Sequence, residues 1–378
     1  MTAVEERTTG DRAEARTPLL SARNLVQEFP VRAAGGVKGG VVHAVSDVSF
    51  DIYPGETLGV VGETGSGKST LARSVIQLPR PKSGVVEFQG KDLMTLGRRE
   101  LKSSRRHLQM VYQDPFGSLN PRWRVNELVE EPLRGHGWGT ADTRKRRVEE
   151  LLDLVGLDPS QYARRRPFEL SGGQCQRVAI ARAIALEPAL IVADEAVSSL
   201  DVLIQAQVLN LFEKLRREMN LSYLFIAHDL AMVKQVSDRV AVMYLGQLTE
   251  IGPSEAMYRQ PLHPYTAALL DSIPRVDPVT GRAHKPVALP GEPPSPIDPP
   301  SGCRFRTRCP RAQLKCAEVA PALVEHQPAH RVACHFPLDL PMPEVPRMTG
   351  GATLAGPDGV TDAPPAGAPA APPAAPAL

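Results

Sequence analysis

One stretch limits the possible folds more than any other: Thr57–Val75, read as TLGVVGETGSGKSTLARSV. The apolar run Leu58 to Val61 stops at Gly62, a glycine-rich loop follows, and a helix-forming stretch begins at Lys68. This order reads as strand, phosphate loop, helix. Gly62, Gly67, Lys68 and Ser69 satisfy G-x-x-x-x-G-K-S/T. The glycines let backbone N–H groups turn inward around phosphate oxygens, and the helix start adds the positive end of its dipole. Lys68 adds a cation, and the Ser69 hydroxyl can hold Mg²⁺. Four specified positions match by chance in roughly one percent of chains this long. The candidate phosphate-binding residues are therefore Gly62, Glu63, Thr64, Gly65, Ser66, Gly67, Lys68, Ser69 and Thr70. The loop implies a nucleotide phosphate without specifying a reaction.

At 378 residues the chain has length for one large domain or two ordinary ones. Its 37 prolines crowd beyond Asp277, and from about Pro341 the sequence becomes Pro, Ala and Gly with almost no large apolar residues. Such a tail cannot bury enough surface to order itself, and residues 1–17 are similarly polar, so disorder is expected at both ends. A net charge of +2 argues against a dedicated nucleic-acid binder, and the clusters Arg105–Arg106, Arg144–Arg147 and Arg164–Arg166 read as solvated or ion-paired surface. No apolar run is long enough to cross a bilayer and no signal core stands at the N-terminus, so a cytosolic chain is expected. Any membrane crossing then falls to a separate subunit.

Leu19–Phe29 and His43–Ile52 read as strands around a Gly-rich excursion, the second partly alternating as a half-covered antiparallel strand does. A helix is expected from Lys68 to about Leu78, then a strand at Val85–Phe88, a short helix at Arg98–Ser103 and a strand at Leu108–Tyr112. From Trp123 to about Gly156 the pattern is helical, with Val125, Leu128, Val129 and Leu133 on one face and Val148, Leu151, Leu152 and Val155 on another. Leu190–Ala193 and Tyr223–Ala227 read as buried strands, Val202–Met219 as an amphipathic helix, and Val240–Tyr244 with Gln247–Ile251 as a hairpin around Gly246. Strands alternating with helices, with a helical insertion and an antiparallel edge, give a two-lobed α/β fold.

Two further elements narrow the chemistry. LIVADE delivers Asp194 and Glu195 to the carboxyl end of a buried strand, Asp194 placed to hold Mg²⁺ and Glu195 to polarise a water for attack at the γ-phosphate. Paired acids after a strand are common on surfaces, but after a phosphate loop they carry weight. LSGGQ precedes a helix, where Ser171 can cap and Gly172, Gly173 and Gln174 present a second anion site. One γ-phosphate does not require two such sites in one chain. The economical arrangement is a head-to-tail dimer sharing ATP between the loop of one subunit and LSGGQ of the other.

LSGGQ between the phosphate loop and ADE, Gln113 ahead, Ser199–Leu200–Asp201 after and His228 in FIAHDL resemble the ATPase subunits of ABC transporters over roughly Leu19 to Gly252. The resemblance implies a P-loop NTPase fold of the ABC type, with a RecA-like parallel sheet core, an antiparallel β edge and a helical insertion subdomain. It implies that ATP and Mg²⁺ are bound, that Gln113 senses Mg²⁺ or the attacking water, that Asp201 lies in the dimer contact, and that His228 bonds the γ-phosphate and orients Glu195. A histidine at a strand end is by itself more often a satisfied core residue. YQDPFGSLNPR, DVLIQAQVLNLF, IAHDLAMVK, PLHPYTAALL and LPGEPPSPIDPPSGCRFRTRCP narrow the resemblance to the oligopeptide and dipeptide importer ATPases.

That family implies an ATPase domain over 18–257 with its helical subdomain at about 114–170, and a small Pro/Cys-rich C-terminal domain over 258–340. The expected partners are a second ABC ATPase subunit, two transmembrane permease subunits and, through them, an extracytoplasmic peptide-binding protein, with no nucleic acid. Whether the second ATPase is a copy or a related chain stays open, a related one being favoured. The expected place is the cytoplasmic face of the membrane, as a peripheral subunit. The alternative is a soluble ABC ATPase of DNA repair or translation, which would need coiled-coil or tandem insertions that this sequence does not show. Ala196 stands where the family has proline, with both carboxylates kept, so activity is expected to survive. The usual adenine-stacking aromatic is missing upstream of His43; Phe29 is the nearest candidate, with Arg32 or His43 as substitutes. Cys175 inside the signature reads as a buried small residue.

Cys303, Cys309, Cys316 and Cys334 follow C-x5-C-x6-C-x17-C. In a reducing cytosol this clustering points to metal before disulfide, and the absence of tight C-x2-4-C pairs leans toward iron–sulfur over zinc. Importer ATPases with this cysteine set imply a 4Fe-4S cluster; His326, His330 and His335 keep a mixed zinc site open. Either metal would staple a Pro-rich segment with little core.

Overall fold

The computed structural model describes residues 17–31, 39–273, 275–276, 283–284 and 291–339. The arm 1–16 and the tail from 340 lie outside them, and so do the expectations of disorder there. In chain order the elements are β1 (Leu20–Val31), β2 (Gly40–Ile52), β3 (Thr57–Val61), α1 (Lys68–Val75), β4 (Ser83–Phe88), β5 (Lys91–Asp92), α2 (Arg98–Arg105) and β6 (Leu108–Val111). Next come α3 (Pro115–Ser118), α4 (Val125–Gly135), α5 (Ala141–Leu154), α6 (Pro159–Tyr162), α7 (Gly172–Ile184), β7 (Leu190–Asp194), α8 (Val202–Met219), β8 (Ser222–Ile226) and α9 (Leu230–Val236). The chain continues through β9 (Arg239–Tyr244), β10 (Gln247–Pro253), α10 (Ser254–Arg259), α11 (Pro264–Asp271), β11 (Arg275–Val276), β12 (Ala283–His284), α12 (Leu314–Glu318), β13 (Val324–Gln327) and β14 (His330–Val332).

The main sheet has the order β13-β14-β10-β9-β3-β8-β7-β6. From β6 to β9 every pairing is parallel, and β9 with β10 forms the expected antiparallel hairpin. Because β3 lies between β8 and β9, all five of its residues are buried. Alternate strand residues divide between two hydrophobic clusters: Tyr223 and Phe225 join one, Leu224 and Ile226 the other. The first cluster also receives Leu128, Val129, Leu133, Leu151 and Leu152, the apolar faces that the helical spacing of α4 and α5 foretold. The second joins α1 to the separate antiparallel sheet β2-β1-β4-β5. At Gly59 a Cβ would stand 2.3 Å from Val233 Cγ1, so the missing side chain is what lets α9 approach β3.

α1 ends at Val75, short of the expected Leu78, because Gln77 adopts φ 63° and Pro79 follows two residues later. The C-terminal stretch is not an appendage to the sheet. β14 pairs with β10, placing Glu250 opposite Val332, and so carries β13 and β14 onto the main sheet. The topology brings the carboxyl ends of the neighbours β6, β7, β8 and β3 to one edge, where ligands of open α/β sheets bind.

Candidate functional site: the phosphate loop and the strand ends around it

Each of those four strand ends delivers a sequence-predicted residue: Gln113 after β6, Asp194 and Glu195 at β7, His228 after β8 and the phosphate loop after β3. The loop's turn needs glycine at Gly67, where φ is 104° and a Cβ would sit 2.0 Å from the Ala44 carbonyl oxygen. Lys68 Nζ donates to the Gly62 and Glu63 carbonyls at 2.8 and 2.9 Å, holding the loop closed on itself. Burial pulls the Lys68 ammonium below its usual pKa, opposed by the charges of Glu195, Asp194 and Glu63.

Ser69 Oγ donates to Asp194 Oδ1 at 2.8 Å. A hydroxyl beside a carboxylate is hard-oxygen chemistry suited to Mg²⁺, which takes one or two protein carboxylates and completes its shell with phosphates and water. Burial raises the Asp194 pKa, and the Ser69 bond pulls it back. Glu195 adopts φ 49° and its N–H donates to the Ile226 carbonyl at 2.9 Å, so an uncommon backbone conformation is held by the neighbouring strand. Its Oε2 accepts from Gln113 Nε2 at 2.9 Å and lies 4.0 Å from His228 Nδ1. Together with Lys68 and Ser69, these three side chains line an open cavity of about 770 Å³.

Of the adenine candidates, Phe29 lines this cavity, while His43 faces Glu28 at 3.2 Å from Nδ1 to Oε1. Arg32 lies outside the described residues. Pro296, from the C-terminal stretch, is a wall that sequence reasoning missed; its carbonyl accepts from the His43 N–H at 3.0 Å.

Ser171–Gln174 do not line the cavity. Ser171 caps α7 as expected: its Oγ accepts from the Gln174 N–H at 3.3 Å, and Gln174 Oε1 accepts from the Ser171 N–H at 2.9 Å. A Cβ on Gly173 would stand 2.5 Å from Ile204 Cγ2, so the signature turn packs against the start of α8. Asp201 caps α8 by accepting from the Ile204 N–H at 3.1 Å, and beside it Val202 and Leu203 are 78% and 77% exposed. Cys175 is buried with its thiol pushed up to about 11, the inert packing residue expected.

The C-terminal cysteines depart from expectation. Among the described residues no group of three or more His, Cys, Asp or Glu side chains is placed to hold a metal ion, so neither the 4Fe-4S nor the zinc site is supported. The thiols are close enough for Cys334 to feel Cys303, Cys309 and Cys316, but all four cysteines are free. Burial pushes the Cys309 thiol up to about 11 and the Cys334 thiol to about 12. The histidines of the mixed site are engaged elsewhere: His326 with Asp339, His330 with Glu250, and His335 with the Val319 carbonyl.

A family model described as "ABC transporter" matches residues 45–198, and one described as "Oligopeptide/dipeptide transporter, C-terminal region" matches residues 249–316. Over 322 residues the chain is 50% identical to the oligopeptide transport ATP-binding protein AppF of Bacillus subtilis (strain 168), covering 84% of this chain and 97% of that protein. The chain belongs to the ATP-binding subunits of the oligopeptide/dipeptide ABC transporter family. This ABC ATPase is also 48% identical over 319 residues to the probable peptide ABC transporter ATP-binding protein y4tS of Sinorhizobium fredii (strain NBRC 101917 / NGR234), covering 84% and 89% of the two chains. Among solved structures it resembles the dimeric ATP-binding cassette MJ0796 bound to ADP and Pi, with TM-score 0.55 and 28% identity over 62% of this chain and 98% of that one. It also resembles cbiO1 of Clostridium perfringens, with TM-score 0.55 and 25% identity over 64% and 91% of the two chains. The fold of this chain is thus that of the ABC ATPase cassettes. No helix among the described residues is long and apolar enough to cross a membrane.

Proposed function

We propose that this ABC ATPase powers peptide import, as a peripheral subunit on the cytoplasmic face of the membrane that acts on two permease subunits. The observation that carries the reading is the Glu195 carboxylate, held by Gln113 and facing His228 in the cavity of Lys68 and Ser69. There Glu195 polarises the attacking water, His228 bonds the γ-phosphate, and Lys68 with the loop N–H groups of Gly62–Thr70 holds the β- and γ-phosphates. Ser69 and Asp194, with Gln113 nearby, would hold Mg²⁺, which when bound supplies charge for the phosphate oxygens. Phe29 and Pro296 flank the space left for the base.

The signature Ser171–Gln174 stands apart from this cavity, which supports its use by a second ATPase subunit across a shared ATP. The dimeric state of the MJ0796 cassette and the exposed Val202 and Leu203 beside Asp201 support the same arrangement. Peptide as cargo rests on the relatives' names and on the match over residues 249–316. The test is copurification of the intact complex, followed by ATP-dependent uptake of labelled peptide in vesicles. Recovery of peptide permeases and uptake lost with Lys68→Ala supports the reading; ATPase activity with no permease bound and no peptide dependence refutes import. The finer expectation of a 4Fe-4S cluster on Cys303, Cys309, Cys316 and Cys334 rests on donor chemistry and thiol proximity alone. It requires brown, iron-containing protein, and a colourless, iron-free anaerobic preparation removes it.

A further inference from the structure

Glu63, the first residue of the phosphate loop after Gly62, is fastened at three points. Its N–H donates to Tyr265 Oη at 2.9 Å, and its carbonyl accepts from Lys68 Nζ at 2.9 Å. Its carboxylate receives both arms of Arg308, Nη1 to Oε2 at 2.7 Å and Nη2 to Oε1 at 3.0 Å. Two parallel charge-assisted bonds fix orientation as well as distance. Arg308 comes from the C-terminal stretch, 245 residues away in sequence, and its side chain is only 4% exposed.

The guanidinium stands on a rigid base. The Arg308 N–H donates to the Phe305 carbonyl at 3.0 Å, and the Phe305 ring lies 5.3 Å from Tyr244 and 5.2 Å from Tyr265. A second path runs in parallel: Arg304 donates to the Leu245 carbonyl, and the next N–H, of Gly246, donates to the Ser66 carbonyl at 2.8 Å. An ion pair that merely stapled the C-terminal stretch to the body could end anywhere on the scaffold. This one ends on the loop itself, on the residue whose carbonyl seats the Lys68 amine.

We propose that Arg308 is a positioning residue for ATP: acting through Glu63, it holds the phosphate loop in its binding shape, so that the C-terminal stretch sets nucleotide affinity. The inference rests on the reading of the loop as the ATP site. Removing the arginine leaves Glu63 held only by its backbone, and affinity for ATP should fall about tenfold, the scale of a lost charged hydrogen-bond pair.

The test titrates the full-length chain with a fluorescent ATP analogue and follows hydrolysis in parallel, for Arg308→Ala, Arg308→Lys, Glu63→Gln and the double variant Glu63→Gln with Arg308→Ala. The loss should fall on Kd and on KM for ATP more than on kcat. Arg308→Lys should recover part of it, and Arg308→Ala should add less than about twofold once Glu63 is already glutamine. A melting scan reports folding; if Arg308→Ala does not fold, Glu63→Gln interrogates the same contact from its more exposed end and should itself weaken ATP. Affinity within about twofold of the unsubstituted chain in Arg308→Ala, or in Glu63→Gln where that variant stands in, overturns the inference, as does an undiminished Arg308→Ala effect in the Glu63→Gln background. Failure of the unsubstituted chain to bind ATP would overturn the ATPase reading along with it, so the two failures are distinguishable.

Discussion

His263 makes the C-terminal packing sensitive to acid. Its side chain is buried beside Phe305, and Nδ1 accepts from the Tyr265 N–H at 3.0 Å, capping α11. Nδ1 must therefore be unprotonated, with the ring proton on Nε2. Protonating Nδ1 would place a charge in the core and turn the cap acceptor into a donor. Burial accordingly pushes the pKa down to about 4, with the Glu250 charge opposing, against 6.5 for a free histidine. Because the folded value lies below the unfolded one, the unfolded chain takes up a proton first as pH falls, and stability drops. The loss begins below pH ~6.5, reaches about 2 kcal/mol by pH ~5, and levels off at about 3 kcal/mol near pH ~4. Urea unfolding at several pH values would measure it. His263→Asn keeps an acceptor near the Tyr265 N–H but cannot titrate, so its stability should lack this increment while starting lower for the lost ring. Parallel pH curves for the two proteins would refute the assignment.

Glu195→Gln keeps the size of the side chain and removes the base, so hydrolysis should fall by about 10²–10⁴-fold while ATP still binds and traps the closed dimer; turnover and analogue binding measure the two separately. Phe29→Ala should weaken ATP by about two- to tenfold, the value of one aromatic contact, with little effect on kcat, read from KM and kcat over an ATP series. Phe305→Ala removes a buried ring packed against Tyr244 and Tyr265 and should cost about 3–5 kcal/mol in urea unfolding; less than about 1 kcal/mol would mean the C-terminal stretch packs elsewhere in solution.

Much of the ATP site was legible because its parts are local in sequence. The glycines of the loop, the acids after LIVA and the cap Ser171 each follow from short patterns, since turn conformation, strand burial and helix capping depend on neighbours a few residues apart. The helical faces of α4 and α5 were legible for the same reason. The end of α1 was misjudged because the apolar pattern continues through Ile76 and Leu78, while Gln77 turns left-handed before Pro79. The cysteines differ: spacing counts donors but does not say whether the fold gathers three or more of them around one point, or whether His326 and His330 already have partners.

What the sequence determined by itself was the phosphate cradle, its two carboxylates and the separate signature, and with them the family. Only the tertiary structure decided which residues stand around that cradle. Phe29 rather than His43 faces the cavity because Glu28 takes the histidine. Pro296 joins the wall, and Arg308 with Tyr265 braces Glu63, because β10, β14 and the aromatic packing of Phe305 fold the C-terminal stretch back onto the loop. The physical reason is range. Backbone geometry is dictated by adjacent residues, whereas the choice of partner for a buried charge depends on which chain segment arrives beside it, and no local pattern in CRFRTRCP names a glutamate 245 residues away.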